Sequence, residues 1–320
     1  MKLSFSRLWK ERVETSLDAA GTSACATVLG VRMWRRNRRE ALEAMRALME
    51  DGPPHSVYFV HAATTNLAYE DARFRAALNR GHLVLNDGIG VRWAARLAGL
   101  ALEENLVGTD LIPHLLALPF ARPLRLYLLG GSRGVADRAA LHLRERFPGL
   151  EIAGCADGYF STSEEREVVD RINRAAPDLL LVGMGNPRQE LFIDRYLPHL
   201  NCGLALGAGG LFDHWSGNLR RATPWLRRWG LEWLQLLVQQ PHKWRRYLLG
   251  NPKFLWRALQ PLLLRRLRSA AAVGLSLAFS LLVAEAIVRL TRPQILERYP
   301  EGLYVRSLTR QYSLRPGFSG

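Results

Sequence analysis

Short apolar runs along the chain alternate with segments in which apolar residues recur every three or four positions. Such runs are typical of buried strands, and the segments between them are typical of amphipathic helices. Their alternation predicts an α/β fold, a Rossmann-like doubly wound and mostly parallel sheet with helices packed on it. Strands are predicted at residues 27–31, 57–60, 83–86, 124–129, 151–155, 179–182 and 202–206, and helices at residues 38–49, 135–147 and 164–175.

The predicted strands end in glycine or in small polar residues. Gly130 and Gly131 follow one strand, Gly183 and Gly185 follow another, and Gly207 follows the last. In an open parallel sheet the carboxyl ends of the strands lie at one edge, where glycine lets a ligand approach the backbone closely. We therefore expect one long ligand cleft at this edge.

Asp87 follows the apolar run at residues 83–86 and precedes Gly88. Two interpretations are open. Asp before Gly is a common turn and capping signal, so Asp87 could cap the helix that follows. At the end of a strand it could also point into the cleft and act as a catalytic acid or base. Neutral polar residues follow other predicted strands and add to the same edge, namely Thr64, Asn66 and Gln189.

The 320-residue chain is 48% hydrophobic and 23% charged, which is enough to bury a sizeable core. Its net charge of +15 and its pI near 10.5 predict an anionic partner, which could be nucleic acid, a phospholipid surface or a phosphorylated substrate. Three widely spaced cysteines give no disulfide framework and fit a cytoplasmic compartment. Residues 1–26 have no apolar signal-peptide region and are predicted to be a loose leader before a core at residues 27–217.

The positive charge is concentrated in residues 218–268, which we interpret as a basic, Trp-rich, membrane-associating helical appendage. This segment contains twelve Lys or Arg residues and one acid, Glu232. Trp225, Trp229 and Trp233 recur every four residues and share one face of a helix. That face could pack in the core, lie on an anionic bilayer, or stack on single-stranded nucleic acid. No nucleic-acid motif supports the third alternative, and we expect no nucleic-acid partner.

Residues 269–290 are predicted to form a transmembrane helix. The stretch 270–288 contains one charge, Glu285, and about 20 apolar residues are enough to cross a hydrocarbon core. The basic residues that precede the stretch favour a cytoplasmic location for that flank. The alternative is a buried terminal helix. Residues 291–320 form a tail without a strong pattern.

The absence of several motifs from the sequence excludes common kinds of catalytic and cofactor-binding site. It has no cluster of His, Cys and carboxylates at metal-ligand spacing, no Gly-x-Ser-x-Gly elbow, and no glycine-rich dinucleotide or P-loop motif after a strand. We therefore expect neither a metal nor a cofactor. A cleft with one acid suits group transfer from a nucleotide-linked donor. A carboxylate can take the proton from an attacking hydroxyl, while backbone N–H groups and arginines stabilise a leaving diphosphate.

A series of motifs extends from about residue 27 to residue 254. It consists of Thr64-Thr65-Asn66 and of residues 85–90 (LNDGIG), 107–111 (VGTDL), 128–131 (LLGG), 157–160 (DGYF), 177–190 (PDLLLVGMGNPRQE) and 230–233 (GLEW). In this order the motifs resemble those of the bacterial WecG/TagA/CpsF glycosyltransferases (glycosyltransferase family 26). Each motif alone is weak, and the series as a whole is highly specific.

The resemblance implies an inverting, metal-independent transfer of a sugar from a UDP-sugar to a sugar on undecaprenyl diphosphate. Transfer of N-acetylmannosamine to N-acetylglucosamine is frequent in the family. The expected location is the cytoplasmic face of the plasma membrane, in contact with anionic lipids, and the expected process is surface-polysaccharide or wall-polymer synthesis. In this interpretation the UDP-sugar is a substrate and no cofactor is required.

The resemblance also implies roles for individual residues. Asp87 is the expected base. The expected pocket residues are Thr64, Asn66 and Gln189. The arginines expected to cover the site and meet the acceptor diphosphate are Arg220, Arg221, Arg227 and Arg228. The donor nucleotide is expected at the glycine-lined strand ends, which contain Gly130, Gly131, Gly183, Gly185, Pro187 and Gly207.

Two features depart from the family. Asn105 stands where an arginine usually precedes the Val107-Gly108 motif, so the phosphate or sugar contact of that arginine is missing or is supplied by another residue. Asn105 itself is counted among the expected substrate-binding residues. The chain also continues into a predicted membrane span, which suggests permanent anchoring. Two other classes of function stay open, a nicotinamide-dependent oxidoreductase on the same sheet and a non-catalytic membrane scaffold. A homo-oligomer is also compatible with the sequence.

Overall fold

The structure, a computed structural model, describes residues 24–223, 225–226, 229 and 232–291, together with the short strands at 304–305 and 313–314. Most of the predicted leader (1–26) and of the predicted tail (291–320) therefore lies outside the described residues.

The described part of the chain begins with a β-hairpin, where the sequence predicts a single strand at residues 27–31. Strand β1 (Cys25–Val28) pairs antiparallel with β2 (Val31–Trp34). The turn residues Leu29 and Gly30 have φ angles of +48° and +84°. Two positive φ angles are typical of the tight two-residue turns that match the twist of a hairpin. The prediction was wrong because the leucine in the turn makes two strands resemble one apolar run.

Six parallel strands form the central sheet, namely β3 (His55–Val60), β4 (Leu83–Asn86), β5 (Leu124–Gly130), β6 (Leu150–Ala156), β7 (Leu179–Gly183) and β8 (Leu204–Gly207). Their order across the sheet is β4-β3-β8-β7-β5-β6. Three of the four inner strands, β3, β8 and β7, are buried at every position, as expected for a sheet that is covered on both faces. This arrangement confirms the predicted α/β fold with a parallel sheet.

Helices cover both faces of the sheet and enclose two apolar cores. Leu126 and Leu181 belong to one core, and their chain neighbours Tyr127 and Val182 belong to the other, because successive residues of a strand point to opposite faces. The first face is covered by α1 (Arg38–Glu50), α5 (Gly108–Leu116), α6 (Val135–Arg146) and α9 (Leu211–Trp215). The second face is covered by α2 (Ala62–Glu70), α3 (Ala72–Arg80), α4 (Ile89–Leu97), α7 (Glu165–Ala175) and α8 (Arg188–Tyr196).

The carboxyl ends of the adjacent strands β5 and β7 form a crevice. Helix α6 follows β5 on one face of the sheet, whereas α8 follows β7 on the other face. Ligands of open α/β sheets bind at such switch points. Gly130, at the end of β5, lies directly against Gly183, at the end of β7, and a Cβ atom built on Gly130 would come within 2.7 Å of the Gly183 Cα. The two strand ends approach this closely because Gly130 has no side chain.

The chain continues in helices beyond the sheet. They are α10 (Glu232–Gln239), α11 (Trp244–Leu248) and α12 (Gly250–Thr291), the last of which is 42 residues long. The predicted transmembrane segment at residues 269–290 is therefore part of one continuous helix rather than a separate element. An 18-residue stretch between Trp244 and Thr291 has a mean hydropathy of 2.1. Among the described residues, the helix that contains it is the one that is long and apolar enough to cross a membrane, by length and composition.

Four tryptophans of the predicted appendage are exposed, and two of them belong to the predicted helix face. Trp225 and Trp229 are 63% and 64% exposed, which contradicts the interpretation that their face packs in the core. Trp233 stacks on Tyr247 with ring centroids 6.2 Å apart. The chain divides into two compact units between Leu262 and the residue after it, so most of the appendage belongs to the unit that contains the sheet.

Replacing Gly130 by alanine should destabilise the protein. Gly130 has a φ of +148°, which L side chains rarely adopt, and the new methyl group would overlap the backbone of Gly183. We expect the free energy of unfolding to fall by about 2 kcal/mol or more, measured by urea denaturation of the detergent-solubilised protein. Gly149→Ala is the matched control, because a Cβ atom there has no neighbour within 4 Å. Equal stability of the two variants would contradict the close approach of β5 and β7.

Candidate active site

Asp87 lies in the turn that joins β4 to α4. Its backbone N–H donates to the carbonyl oxygen of Val60 over 2.9 Å, which keeps the turn beside the end of β3. The residue at the N-cap of α4 is Gly88, with a φ of +106° and no side-chain cap. The backbone N–H of Gly108, at the start of α5, acts on the Asp87 carboxylate and lowers its pKa. The interpretation of Asp87 as the cap of the following helix is therefore wrong.

The loop before α5 holds the Asp87 turn in place. Asn105 Oδ1 accepts the backbone N–H of Gly88 over 2.8 Å. Asn86 Nδ2 donates to the carbonyl oxygen of Glu104 over 3.0 Å. The predicted substrate contact of Asn105 stays a prediction, and the structure gives its side chain a positioning role beside Asp87.

The surroundings of Asp87 raise its pKa to about 7. Burial is the main cause, and the nearby carboxylates of Glu232 and Asp110 add to it, whereas the Gly108 N–H and the charge of Arg246 lower the pKa. A carboxylate whose pKa lies near neutrality is suited to general base catalysis. Because Glu232 begins α10 and Arg246 lies in α11, the appendage helps to set the pKa of Asp87.

His61 lies at the end of β3 and caps α2. Its Nδ1 accepts the backbone N–H of Thr64 over 3.1 Å. Its Nε2 contacts the guanidinium of Arg246. Burial and the charge of Arg246 lower the pKa of His61 to about 3, so the ring is neutral at physiological pH. Thr64, a predicted pocket residue, is fully buried, and its hydroxyl oxygen lies 3.0 Å from the same Nδ1.

A cavity of about 390 Å³ opens between α2, the loop after β7 and the helices α11 and α12. Its lining contains three cationic side chains and one carboxylate, Glu70. The volume is that of a small-molecule site, and the excess of positive charge favours an anionic ligand. The cations are Arg245, Arg246 and Lys253, and the polar neutral groups are His61, Asn66 and Asn186.

Asn66 fixes the start of α12 to α2. Its Nδ2 donates to the carbonyl oxygen of Gly250 over 2.7 Å, and its Oδ1 accepts from Arg257 Nη1 over 3.0 Å. Glu70, one turn further along α2, forms ion pairs with Arg257 at 2.6 Å and with Lys253 at 2.5 Å. Asn66 therefore borders the cavity, as expected of a pocket residue, but its amide is engaged in holding the appendage on α2.

The match to a known protein family covers most of the chain. Residues 26–268 match the model of the glycosyl transferase WecG/TagA/CpsF family. The chain belongs to this family. The membership confirms both the resemblance noted in the motifs and the expected enzyme class, a glycosyltransferase. It gives no support to the alternatives of an oxidoreductase or a non-catalytic scaffold.

Two relatives of this glycosyltransferase carry the name N-acetylglucosaminyldiphosphoundecaprenol N-acetyl-beta-D-mannosaminyltransferase. The relative from Bacillus spizizenii is 35% identical over 205 residues, which cover 63% of this chain and 79% of the relative. The relative from Bacillus subtilis is 34% identical over 187 residues, which cover 58% of this chain and 72% of the relative.

In the glycosyltransferase, Gln189 joins the loops that follow β7 and β8. Its Oε1 accepts the backbone N–H groups of Gly185 and Gly209, over 3.1 and 3.2 Å. Its Nε2 donates to Glu190 Oε1 over 2.8 Å. Gln189 is 2% exposed, so its amide lies beneath the two loops and fixes their conformation. Direct contact of Gln189 with a ligand stays a prediction.

Glu190 is the buried acid of the same network. It also accepts a hydrogen bond from Asn186 Nδ2, and Asn186 lines the cavity. Its second carboxylate oxygen has no hydrogen-bond partner in the part of the chain that the structure describes. Burial raises the pKa of Glu190 to about 7.

The residues predicted to bind the donor nucleotide lie at the carboxyl ends of β5, β7 and β8. The N–H of Gly131 donates to the carbonyl oxygen of Gly183, and the N–H of Gly158 donates to the carbonyl oxygen of Gly131, both over 2.9 Å. These hydrogen bonds bring the loops after β5, β6 and β7 together. The other predicted donor-site residues at this edge are Gly130, Gly185, Pro187 and Gly207.

The arginines named by the resemblance do not line the cavity where the structure describes them. Arg221 donates to Asp110 Oδ1 over 2.7 Å and to Thr109 Oγ1 over 2.9 Å, so it packs on the first turn of α5. Arg220 has an exposed side chain. The remaining two, Arg227 and Arg228, lie outside the described residues. Arg245 and Arg246 supply the arginines of the cavity instead.

Sequence reasoning missed His61, Glu232 and Arg246 as residues of this site. His61 and Arg246 are 185 positions apart, and the local pattern around either residue gives no sign that they meet. The available signal was the composition of the appendage, whose single acid among twelve cations is Glu232.

Asp87→Asn should stabilise the protein more at pH 8 than at pH 5. Folding raises the pKa of Asp87 from 3.8 to about 7, so the native state binds more protons than the unfolded state between these values. The stability of the wild-type protein is therefore lost as the pH rises through that range, and the uncharged Asn avoids the loss. Urea denaturation of both proteins at pH 5, 6, 7 and 8 measures the difference, in which the contribution of Glu190 cancels. A difference independent of pH would contradict the raised pKa of Asp87.

Proposed function

We propose that this glycosyltransferase moves N-acetylmannosamine, or another hexose derivative, from a UDP-sugar to N-acetylglucosamine linked to undecaprenyl diphosphate. The names of the two Bacillus relatives describe an enzyme of this kind. In this chain the proposal rests on the position and the pKa of Asp87. Asp87 is a strand-end carboxylate with a pKa of about 7, and Arg246, which lowers that pKa, also lines a basic cavity of about 390 Å³.

In the proposed reaction Asp87 takes the proton from the acceptor hydroxyl. The hydroxyl oxygen forms a bond to the anomeric carbon of the donor sugar as the bond between that carbon and the UDP oxygen breaks, so the configuration inverts. The charge that develops on UDP is stabilised by backbone N–H groups and by cationic side chains. The glycine-lined ends of β5, β7 and β8 are the proposed site of the donor nucleotide.

The proposed location is the cytoplasmic face of the plasma membrane, where a lipid-linked acceptor is available. Three observations support it. The stretch within α12 has a mean hydropathy of 2.1. Trp225 and Trp229 are exposed, and tryptophan prefers the headgroup level of a bilayer. Residues 218–268 carry the basic side chains that anionic lipid headgroups attract.

Sugar transfer from a panel of UDP-sugars to a short-chain lipid-diphosphate N-acetylglucosamine tests the proposal. The assay is run with and without a metal chelator, and UDP binding is titrated separately. We expect product from one donor and no effect of the chelator. No product from any donor, together with no binding of UDP, would overturn the proposed function.

Asp87→Asn should lower kcat by about a hundredfold or more and leave the affinity for UDP nearly unchanged, because it removes a general base but no phosphate contact. Turnover and UDP titration are measured on the same preparation. Asp170→Asn is the matched control, because Asp170 has an exposed side chain on α7. Near wild-type turnover of Asp87→Asn would remove Asp87 from the mechanism.

The value of kcat/KM should rise as the pH increases through about 7, because Asp87 must be deprotonated to accept a proton. Arg246 lowers the pKa of Asp87, so Arg246→Gln should move this rise to higher pH. The pH profile of both proteins with saturating acceptor measures the shift. An unchanged midpoint in Arg246→Gln would show that the titrating group is not Asp87, and Glu190 would be the next candidate.

A further inference from the structure

Arg221 binds the first turn of α5 with both terminal nitrogens of its guanidinium. Its Nη1 donates to Asp110 Oδ1 over 2.7 Å, and its Nη2 donates to Thr109 Oγ1 over 2.9 Å. Nη1 also lies 3.5 Å from the carbonyl oxygen of Thr109. Contacts from two nitrogens of one planar group to a single helix turn fix its position better than one ion pair would.

The backbone of Arg221 is held from the other side by α10. Gln235 Nε2 donates to the carbonyl oxygen of Arg221 over 3.1 Å. Gln239 binds the preceding residue twice, because its Oε1 accepts the N–H of Arg220 over 2.8 Å and its Nε2 donates to the Arg220 carbonyl oxygen over 2.9 Å. Arg221 therefore connects α10 of the appendage to α5 of the sheet domain.

The helix turn that Arg221 binds also acts on Asp87. Gly108, the first residue of α5, supplies the backbone N–H that lowers the pKa of Asp87, whereas the charge of Asp110 raises that pKa. A Cβ atom built on Gly108 would lie 3.3 Å from the Phe59 ring, so this end of α5 packs closely on β3. The guanidinium of Arg221 is therefore bound to the turn from which both effects on Asp87 arise.

We propose that Arg221 is a positioning residue, which acts on Asp87 through Asp110 and the first turn of α5 and does not bind the acceptor diphosphate. Its two terminal nitrogens already have protein acceptors, and a phosphoryl oxygen would have to break the 2.7 Å ion pair to replace them. Arg221 neutralises the Asp110 carboxylate, whose charge would otherwise oppose ionisation of Asp87. The role of Asp87 as the base rests on the proposed function, whereas the contacts of Arg221 do not.

Other charged and titratable side chains interact with Asp87 and with Arg221. Glu232, at the start of α10, raises the pKa of Asp87, and Arg246, in α11, lowers it. His214, at the end of α9, lies near Arg221, and burial together with the charge of Arg221 lowers its pKa. The same three side chains are present in every variant compared below, so a comparison that removes only Asp87 cancels their own titration.

The pKa of Asp87 can be measured without sugar transfer, from the difference in stability between a protein and its Asp87→Asn variant. Because folding raises this pKa from 3.8 to about 7, the difference grows with pH and levels off above the folded-state pKa. Urea denaturation between pH 5 and 9 locates the levelling. Arg221→Gln should move it to higher pH by about half a unit, because Asp110 loses the cation that neutralises it. Adding Asp110→Asn should move it back toward the wild-type value.

The affinity for the acceptor distinguishes positioning from diphosphate binding. Calorimetric titration with a short-chain lipid-diphosphate N-acetylglucosamine, in the absence of UDP-sugar, compares Arg221→Gln with the wild-type protein. We expect the two dissociation constants to agree within about twofold, whereas loss of a direct contact to the diphosphate would weaken binding by about tenfold or more. Arg144→Gln is the matched control, because it removes the same charge from an exposed position in the last turn of α6.

An unchanged pKa of Asp87 in Arg221→Gln, or a shift that Asp110→Asn does not reverse, would overturn the proposal. A tenfold loss of acceptor affinity in Arg221→Gln but not in Arg144→Gln would also overturn it. Thermal unfolding of each variant establishes that it is folded. If Arg221→Gln is not folded, Asp110→Asn alone serves, since it should move the levelling to lower pH and the absence of a shift would contradict the proposal.

These measurements separate the role of Arg221 from the proposed reaction. If the wild-type protein binds no lipid diphosphate, the acceptor of the proposed function is wrong, and the denaturation series alone decides whether Arg221 acts on Asp87. If the pKa of Asp87 does not respond to Arg221 while the acceptor binds normally, the proposed function stands and the positioning role fails.

Discussion

The burial of one carboxylate, that of Asp87, is the constraint on which the site depends. Withdrawal from water disfavours its charge, and the N–H of Gly108 and the positive charge of Arg246 offset this. The first belongs to the helix α5 on the sheet and the second belongs to the appendage. The chemical state of Asp87 is therefore a property of both parts together, and the appendage is a structural component of the site.

The appendage is held where it can act in this way by polar contacts of α2. Asn66 and Glu70 bind Arg257 and the first residues of α12, while His61, at the other end of α2, meets Arg246. One short helix thus connects the end of β3, the cavity and the appendage. Several charge-assisted hydrogen bonds along a single helix face give more positional precision than one isolated surface ion pair would.

The parallel sheet and the position of Asp87 at a strand end were predictable because both follow from the local pattern. Thr64, Asn66 and Gln189 were also placed at strand ends, but the partners of their side chains were not. For Asn66 the partner Gly250 lies 184 positions away, so tertiary packing decides whether such a group faces a ligand or the backbone. For Gln189 the partners Gly185 and Gly209 belong to two loops that only the folded sheet brings together. The pairing of His61 with Arg246 was not predictable either, because the two residues are 185 positions apart in the sequence.

The contact between Gly130 and Gly183 and the bridge that Gln189 makes to Gly185 and Gly209 join three strand ends into one backbone unit. Such a unit leaves little freedom for evolution or design to alter donor preference there, since a change at one position would displace the others. In the loop after β6, the side chain of Tyr159 is 78% exposed, so a different side chain there would displace no neighbour. New sugar or nucleotide specificities should therefore arise from changes of side chains, while the backbone at the ends of β5, β7 and β8 keeps its conformation.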